Sequence, residues 1–224
     1  MRFLVLLFLA SAPALMAGPC VIDTLNNYEA LGATGCQVGG LTIKDFTYTF
    51  VSGDVTVADT SITVTPTLGL GLDLKFSSTG WNISTSGHSS KYVLAYTWDP
   101  GDIRSLEDVM NTSTPVFPGF AQITTDMCLD AAFTPGPTCS TSTASMLVSH
   151  NGITANTTAI TNFSPTIGTL GVRNTILLDT TGGPGASSQF DSLENTLFVP
   201  EPSTLVSGLA ALALMLGGLR AKRL

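Results

Sequence analysis

Large apolar and aromatic side chains recur at every second position through much of this chain, and that period limits what it can fold into. Tyr92, Leu94, Tyr96 and Trp98 follow it, as do Leu68, Leu70, Leu72, Leu74 and Phe76. A period of two places such residues on one face of a β-strand. Further strand candidates are Ile43–Phe50, Ser61–Thr65 (stopped by Pro66), Gln122–Leu129, Ala144–His150, Gly171–Leu178 and Thr196–Val199. Gly, Pro, Asn and Asp separate them, and Asp99-Pro100-Gly101-Asp102 reads as a strong turn. The spacing predicts an all-β body, a single antiparallel β-sandwich or jelly-roll-like domain. One helical stretch is expected over Thr24–Leu31, capped by Asp23 or Thr24 and ended by Gly32. No period signals a repeat architecture.

Composition agrees with export of a β protein. Charged residues are 11% of the 224, against roughly a quarter in an average soluble chain. Ser and Thr take their place, and Thr, Val and Ile suit a pleated surface. The net charge is −7, and the middle of the chain keeps only Lys44, Lys75, Lys91, Arg104 and Arg173 as cations. An acidic body is repelled by nucleic acid and anionic lipid, so neither is expected as its partner.

The two ends read as targeting segments. Residues 1–17 carry Arg2, an apolar run over Phe3–Ala10 and then small residues. That is the layout of a secretory signal peptide, cleaved by signal peptidase after Ala14 or Ala17. Pro19 before Cys20 rules against a lipoprotein site. Residues 18–198 form the body. Residues 199–224 hold Val199-Pro200-Glu201-Pro202-Ser203-Thr204, an apolar stretch Leu205–Leu219, and the cations Arg220, Lys222 and Arg223. As a helix the apolar stretch would be about 22 Å long, short of a bilayer core of about 30 Å. Thinning and snorkelling can close that gap, and the basic end predicts a cytoplasmic C-terminus.

This order of parts resembles the PEP-CTERM sorting signal. The resemblance implies processing by exosortase, a membrane transpeptidase-like cysteine enzyme, in a Gram-negative bacterium that makes exopolysaccharide. It implies that Pro200, Glu201 and Pro202 are the recognition site and that Arg220, Lys222 and Arg223 are the basic stop. The precursor would sit in the inner membrane before release to the cell surface or matrix. Two prolines keep the junction extended, as a processing cleft requires. The body also resembles a group of PEP-CTERM proteins of no assigned activity. The shared features are Cys20, Leu25, Tyr28, Leu31-Gly32, Gly35-Cys36, Phe46–Tyr48, Cys128-Leu129, Cys139 and Leu193-Glu194-Asn195.

Four cysteines in an exported chain predict disulfides. Three pairings are possible. Local pairing, Cys20–Cys36 and Cys128–Cys139, is favoured because short loops close most readily. No C-x-x-C spacing supports zinc, and no metal or cofactor is expected. Asp99, Asp102, Glu107 and Asp108 could offer oxygens to Ca²⁺, although turns collect Asp anyway. His88 and His150 read as exposed polar histidines, and Gly87-His88-Ser89 is no nucleophile elbow, so no catalytic residue is assigned. Trp81, Tyr92, Tyr96 and Trp98 could form a sugar-stacking platform, yet aromatics at period two are more often core. The N-x-S/T triplets at Asn82, Asn111, Asn156 and Asn162 carry no function here.

The chain therefore reads as a non-enzymatic envelope or exopolysaccharide-matrix protein with a structural or interaction role. A carbohydrate-binding module is the alternative, and a secreted hydrolase has the least support.

Overall fold

The computed structural model describes residues 17–133 and 138–199. The chain runs through β1 (Asp23–Thr24), α1 (Leu25–Ala30), β2 (Cys36–Val38), β3 (Leu41–Gly53), β4 (Thr63–Leu68), β5 (Leu72–Ser77), β6 (Asn82–Ile83), β7 (Ser89–Asp99) and β8 (Ile103–Asn111). It continues through β9 (Phe120–Leu129), β10 (Thr143–His150), β11 (Ala155–Asn156), β12 (Thr158–Ile167), β13 (Leu170–Asp179), β14 (Ser188–Gln189) and β15 (Ser192–Phe198). Six strands form one sheet, in the order β1-β4-β5-β15-β8-β12, and seven form another, β11-β10-β9-β13-β7-β3-β2. The strand pairs in both are antiparallel.

The two sheets share one core, so the body is a sandwich. Phe76 on β5 and Tyr96 on β7 meet across it, ring centroids 5.6 Å apart. Tyr96 also stacks on Phe46 of β3 at 5.5 Å. Tyr92, Tyr96 and Trp98 are buried in this core, as their period predicted, and Trp81 is buried with them. From β7 to β9 the chain crosses between sheets at each step. β7 lies in the seven-stranded sheet, β8 in the six-stranded one, and β9 back in the first. Asp99–Asp102 is therefore a corner between sheets and not a hairpin turn.

Several sequence expectations need correction. The run Leu68–Phe76 is not one strand. Gly69-Leu70-Gly71 turns it into the β4–β5 hairpin, closed by the Gly69 N–H donating to the Gly71 carbonyl at 2.9 Å. Leu68 and Leu70 are exposed, Leu70 completely so. Pro66 does not end a strand either. It lies inside β4 opposite Leu74. On its other side β4 pairs only through Thr63 and Val64 with β1. No neighbour there needs the missing N–H, which is where proline is tolerated. Two long strands were also missed, β8 and β12, besides the short β1, β2, β6, β11 and β14. β8 turns Asp108 inward, which breaks the apolar pattern. β12 is an edge strand containing Pro165.

The helix is shorter than expected, Leu25–Ala30, with Thr24 at its N-cap but no side-chain capping bond. Gly32 follows with φ +52°, a conformation open to glycine. Both disulfides adopt the local pairing, Cys20–Cys36 and Cys128–Cys139. No helix among the described residues is long and apolar enough to cross a membrane. Residues 1–16, the sorting residues Pro200, Glu201 and Pro202, the stretch Leu205–Leu219, and Arg220, Lys222 and Arg223 lie outside the described residues.

Candidate functional site

Alternation in the seven-stranded sheet has a second consequence. While Tyr92, Leu94, Tyr96 and Trp98 point into the core, Lys91, Val93, Ala95 and Thr97 point out. Neighbouring strands add their outward residues in cross-strand rows. One row runs Thr47, Ala95, Arg173, Asp126 and Ser145 across β3, β7, β13, β9 and β10. The next runs Thr49, Val93, Thr175, Thr124 and Leu147 across the same strands. An open cleft of about 1140 Å³ lies over β3, β7 and β13, with Asp45 and Lys91 also on its lining.

The segment after β9 walls this cleft. The Gly171 N–H donates to the Ala131 carbonyl at 2.9 Å, and Ala131 forms a parallel bridge with Leu170. A Cβ at Gly171 would lie 2.9 Å from both the Ala131 oxygen and the Phe133 nitrogen. Glycine is thus required for the segment to lie this close. Asp130, at φ +57°, accepts from the Gly168 N–H at 2.7 Å. The Cys128–Cys139 bridge ties the far end of the same segment to β9.

Arg173 is the best-held polar side chain of the cleft. Its Nη2 donates to Asp126 Oδ2 at 2.6 Å. Its guanidinium lies over the Phe133 ring, 4.8 Å from the centroid, a cation–π arrangement. Two cations, Lys91 and Arg173, and two anions, Asp45 and Asp126, give the lining no net formal charge. Thr47, Thr49 and Thr175 add hydroxyls to its lining, while Thr97 borders it but is buried. The surface offers hydrogen bonds without favouring a polyanion or a polycation.

A separate polar cluster lies between the sheets. The Asn195 amide of β15 donates to Asp108 Oδ1 of β8. Asn195 Oδ1 accepts from the Tyr96 hydroxyl at 2.6 Å and from Asn174 Nδ2 at 2.8 Å. Thr125 Oγ1 donates to Asn174 Oδ1 at 2.6 Å. Asp108, Thr125, Asn174 and Asn195 are wholly buried. Burial pushes the Asp108 carboxyl up to about 7, against the pull of Thr125 and Asn195 and with help from Glu107. Asn195, part of the family resemblance, is the hub of this cluster. It cannot bind an external ligand there.

The other singled-out residues are dispersed. Asp99 pairs with Lys44 at 2.6 Å and accepts from Thr169, while Asp108 is in the core. The proposed oxygen cluster for Ca²⁺ is therefore not assembled. His88 faces Asp54 at 3.2 Å, and His150 Nδ1 meets the Ser113 carbonyl at 2.8 Å. Both are half-buried rather than freely exposed. His150 ends β10 and His88 immediately precedes β7, three places away in the same sheet, about 14 Å at normal strand spacing. Burial of Trp81 and Trp98 overturns the sugar platform built on those rings. Sequence reading missed Arg173, Asp126 and Phe133 as a group. The signal it could have used was the outward phase of the same alternation.

An all-β, disulfide-bonded sandwich with a charge-balanced cleft of mixed polar and apolar lining is the class defined here, and disulfides of this kind belong to extracytoplasmic proteins. No family model matches the chain, and no curated protein does. Solved structures similar at a low level include these two. One is the carbohydrate-binding module TmCBM61 in complex with beta-1,4-galactotriose, at 13% identity and TM-score 0.35, covering 69% of this chain and 88% of that one. The other is the enzymatically active domain of bacteriophage CBA120 tailspike protein 4, at 11% identity and TM-score 0.27. It covers 68% of this chain and 19% of that one. Neither likeness is close enough to assign a function.

Proposed function

We propose that this is an exported, non-catalytic protein of the bacterial envelope or exopolysaccharide matrix whose jelly-roll-like body binds neutral polysaccharide. Sorting by exosortase through Pro200, Glu201 and Pro202 delivers it there. The observation that carries the binding reading is the cleft over β3, β7 and β13. It is open and charge-balanced, and it sets threonine hydroxyls among Val, Ala and Phe side chains around one fixed guanidinium. A neutral glycan presents dense hydroxyls and no charge, and it needs donors and acceptors in rows more than a deep apolar hole. An open groove also lets a polymer pass through without an end. The acidic body disfavours nucleic acid as the occupant.

Affinity electrophoresis of the exported body in gels containing neutral glucans, galactans or mannans tests this. Retardation by at least one of them is expected. Arg173→Ala should weaken it about tenfold, the size of one charge-assisted hydrogen bond. Thr175→Val keeps the shape and the strand preference but removes a hydroxyl from the cleft, and should weaken binding by a smaller factor. Migration unchanged in every neutral polysaccharide, with the fold intact by circular dichroism, would sink the proposal.

A further inference from the structure

Hairpin tips in a folded domain are normally polar, because they bury nothing. The β4–β5 tip is not. Leu68 is 71% exposed and Leu70 103% exposed, with glycine on each side of Leu70. The tip is also held firmly. A Cβ at Gly71 would lie 2.7 Å from Thr196 Cγ2 and 2.9 Å from the Leu197 carbonyl. Gly39 of the β2–β3 turn is packed just as closely on Leu72 and Leu68. A closely packed backbone thus presents Leu70 wholly outward and leaves Leu68, which touches only the Gly39 turn, mostly exposed.

What lies beside the tip supplies the reason. β5 pairs with β15, Leu72 opposite Leu197, so the chain leaves the body at Val199 about one strand spacing, roughly 5 Å, from the tip. Only Pro200–Thr204 separate Val199 from the apolar Leu205–Leu219. Even fully extended, that link reaches roughly 20 Å. β7 alone has 11 residues, about 36 Å at 3.3 Å each. With the tail in a membrane, the pole bearing Val199 must face the bilayer and the opposite pole cannot reach it. Val21 and Ile22, 61% and 67% exposed, precede β1. That strand runs antiparallel to β4, so they lead toward the Leu68 end.

Resting on the membrane reading of Leu205–Leu219, we infer that the Leu68–Gly71 hairpin tip docks the body of the precursor on the lipid bilayer beside its own tail. The occupant is the hydrocarbon edge of the membrane and not anionic headgroups. The nearest charge at the tip is Asp73, bonded to Thr67 at 3.3 Å, and Lys44 at this end is already paired with Asp99. Docking here would hold the Pro-Glu-Pro segment at the membrane surface, where a membrane enzyme works.

The test uses the full-length chain in phosphatidylcholine vesicles whose acyl chains are brominated, a quencher of nearby indole. Leu70→Trp puts a reporter at the tip, where the native side chain touches nothing that the larger ring would displace. Ile153→Trp puts one at the opposite pole, at a residue that is itself apolar and 71% exposed. The buried Trp81 and Trp98 set the background. Brominated lipid should lower the Leu70→Trp signal about twofold and leave Ile153→Trp at background. If the protein floats with the vesicles but Leu70→Trp is not quenched, the tip proposal is wrong while the tail reading stands. A blue shift without quenching would assign the tip to a second copy and overturn docking. If the full-length chain does not float at all, the tail reading falls and the docking proposal falls with it.

Discussion

Asp108 is a residue whose chemistry departs far from its ordinary behaviour. Its carboxyl is wholly buried between the sheets, and Oδ2 has no hydrogen-bond partner among the described residues. Burial raises it to about 7, well above the usual carboxylate range. The folded state therefore prefers the neutral acid. Its favourable contribution is complete below about pH 4, where the unfolded chain is also protonated. It declines as pH rises and is gone once the folded group ionises near 7. The amount at stake is on the order of a few kcal/mol. Asp99 behaves oppositely. Burial alone would raise it, but hydrogen bonds from Lys44 and Thr169 and the Lys44 charge outweigh burial and hold it low. Its contribution is lost only as pH falls below the usual carboxylate range, outside the Asp108 window. Urea midpoints between pH 4 and pH 8 should therefore fall with rising pH in the wild type. Asp108→Asn, which stays neutral, should flatten that slope. An equal slope in both proteins would mean that Asp108 does not titrate in the core.

At the level of elements, each disulfide holds something different. Cys20–Cys36 fastens the N-terminal segment, through a Cys20 N–H bond to the Gln37 carbonyl at 2.9 Å. Cys128–Cys139 fastens the wall of the cleft. Their sequence separations, 16 and 11, are similar, so each should contribute about 3 kcal/mol in the chain-entropy model. Removing either should lower Tm by roughly 6–12 °C for a body of this size. Only Cys128→Ser with Cys139→Ser should also abolish retardation by polysaccharide, because it frees the segment carrying Phe133. Loss of binding from the Cys20→Ser, Cys36→Ser pair as well would show that the cleft wall has no special role. The elements also mark where pattern reading fails. β8 was hidden because its inward face carries Asp108 and Ser105 beside Ile103, Leu106 and Met110. A polar residue satisfied across the core looks, in sequence, like a loop residue. The β4–β5 turn was hidden for the opposite reason. Leu70 kept the apolar phase through a turn, where its side chain meets only solvent.

For the whole molecule, the sorting reading makes the sharpest demand. Wild-type protein recovered outside the cell should lack the peptide Leu205–Leu219 by mass analysis. Changing Pro200, Glu201 and Pro202 to Ala should leave a full-length, membrane-bound precursor. Mature surface protein that still contains Leu205–Leu219 would make the tail a plain anchor. The sequence alone determined the all-β class, the buried aromatic row and the local disulfide pairing. Each depends on short-range information: period two, turn residues, and closure of loops under 20 residues. Only the tertiary structure decided which sheet each strand joins, that Asp108 and Asn195 meet from β8 and β15, and that Arg173, Asp126 and Phe133 make one surface. Those depend on contacts between residues 40 to 90 positions apart. Strand order fixes such contacts, and a strand's own pattern of inward and outward residues is the same whichever neighbour it pairs with.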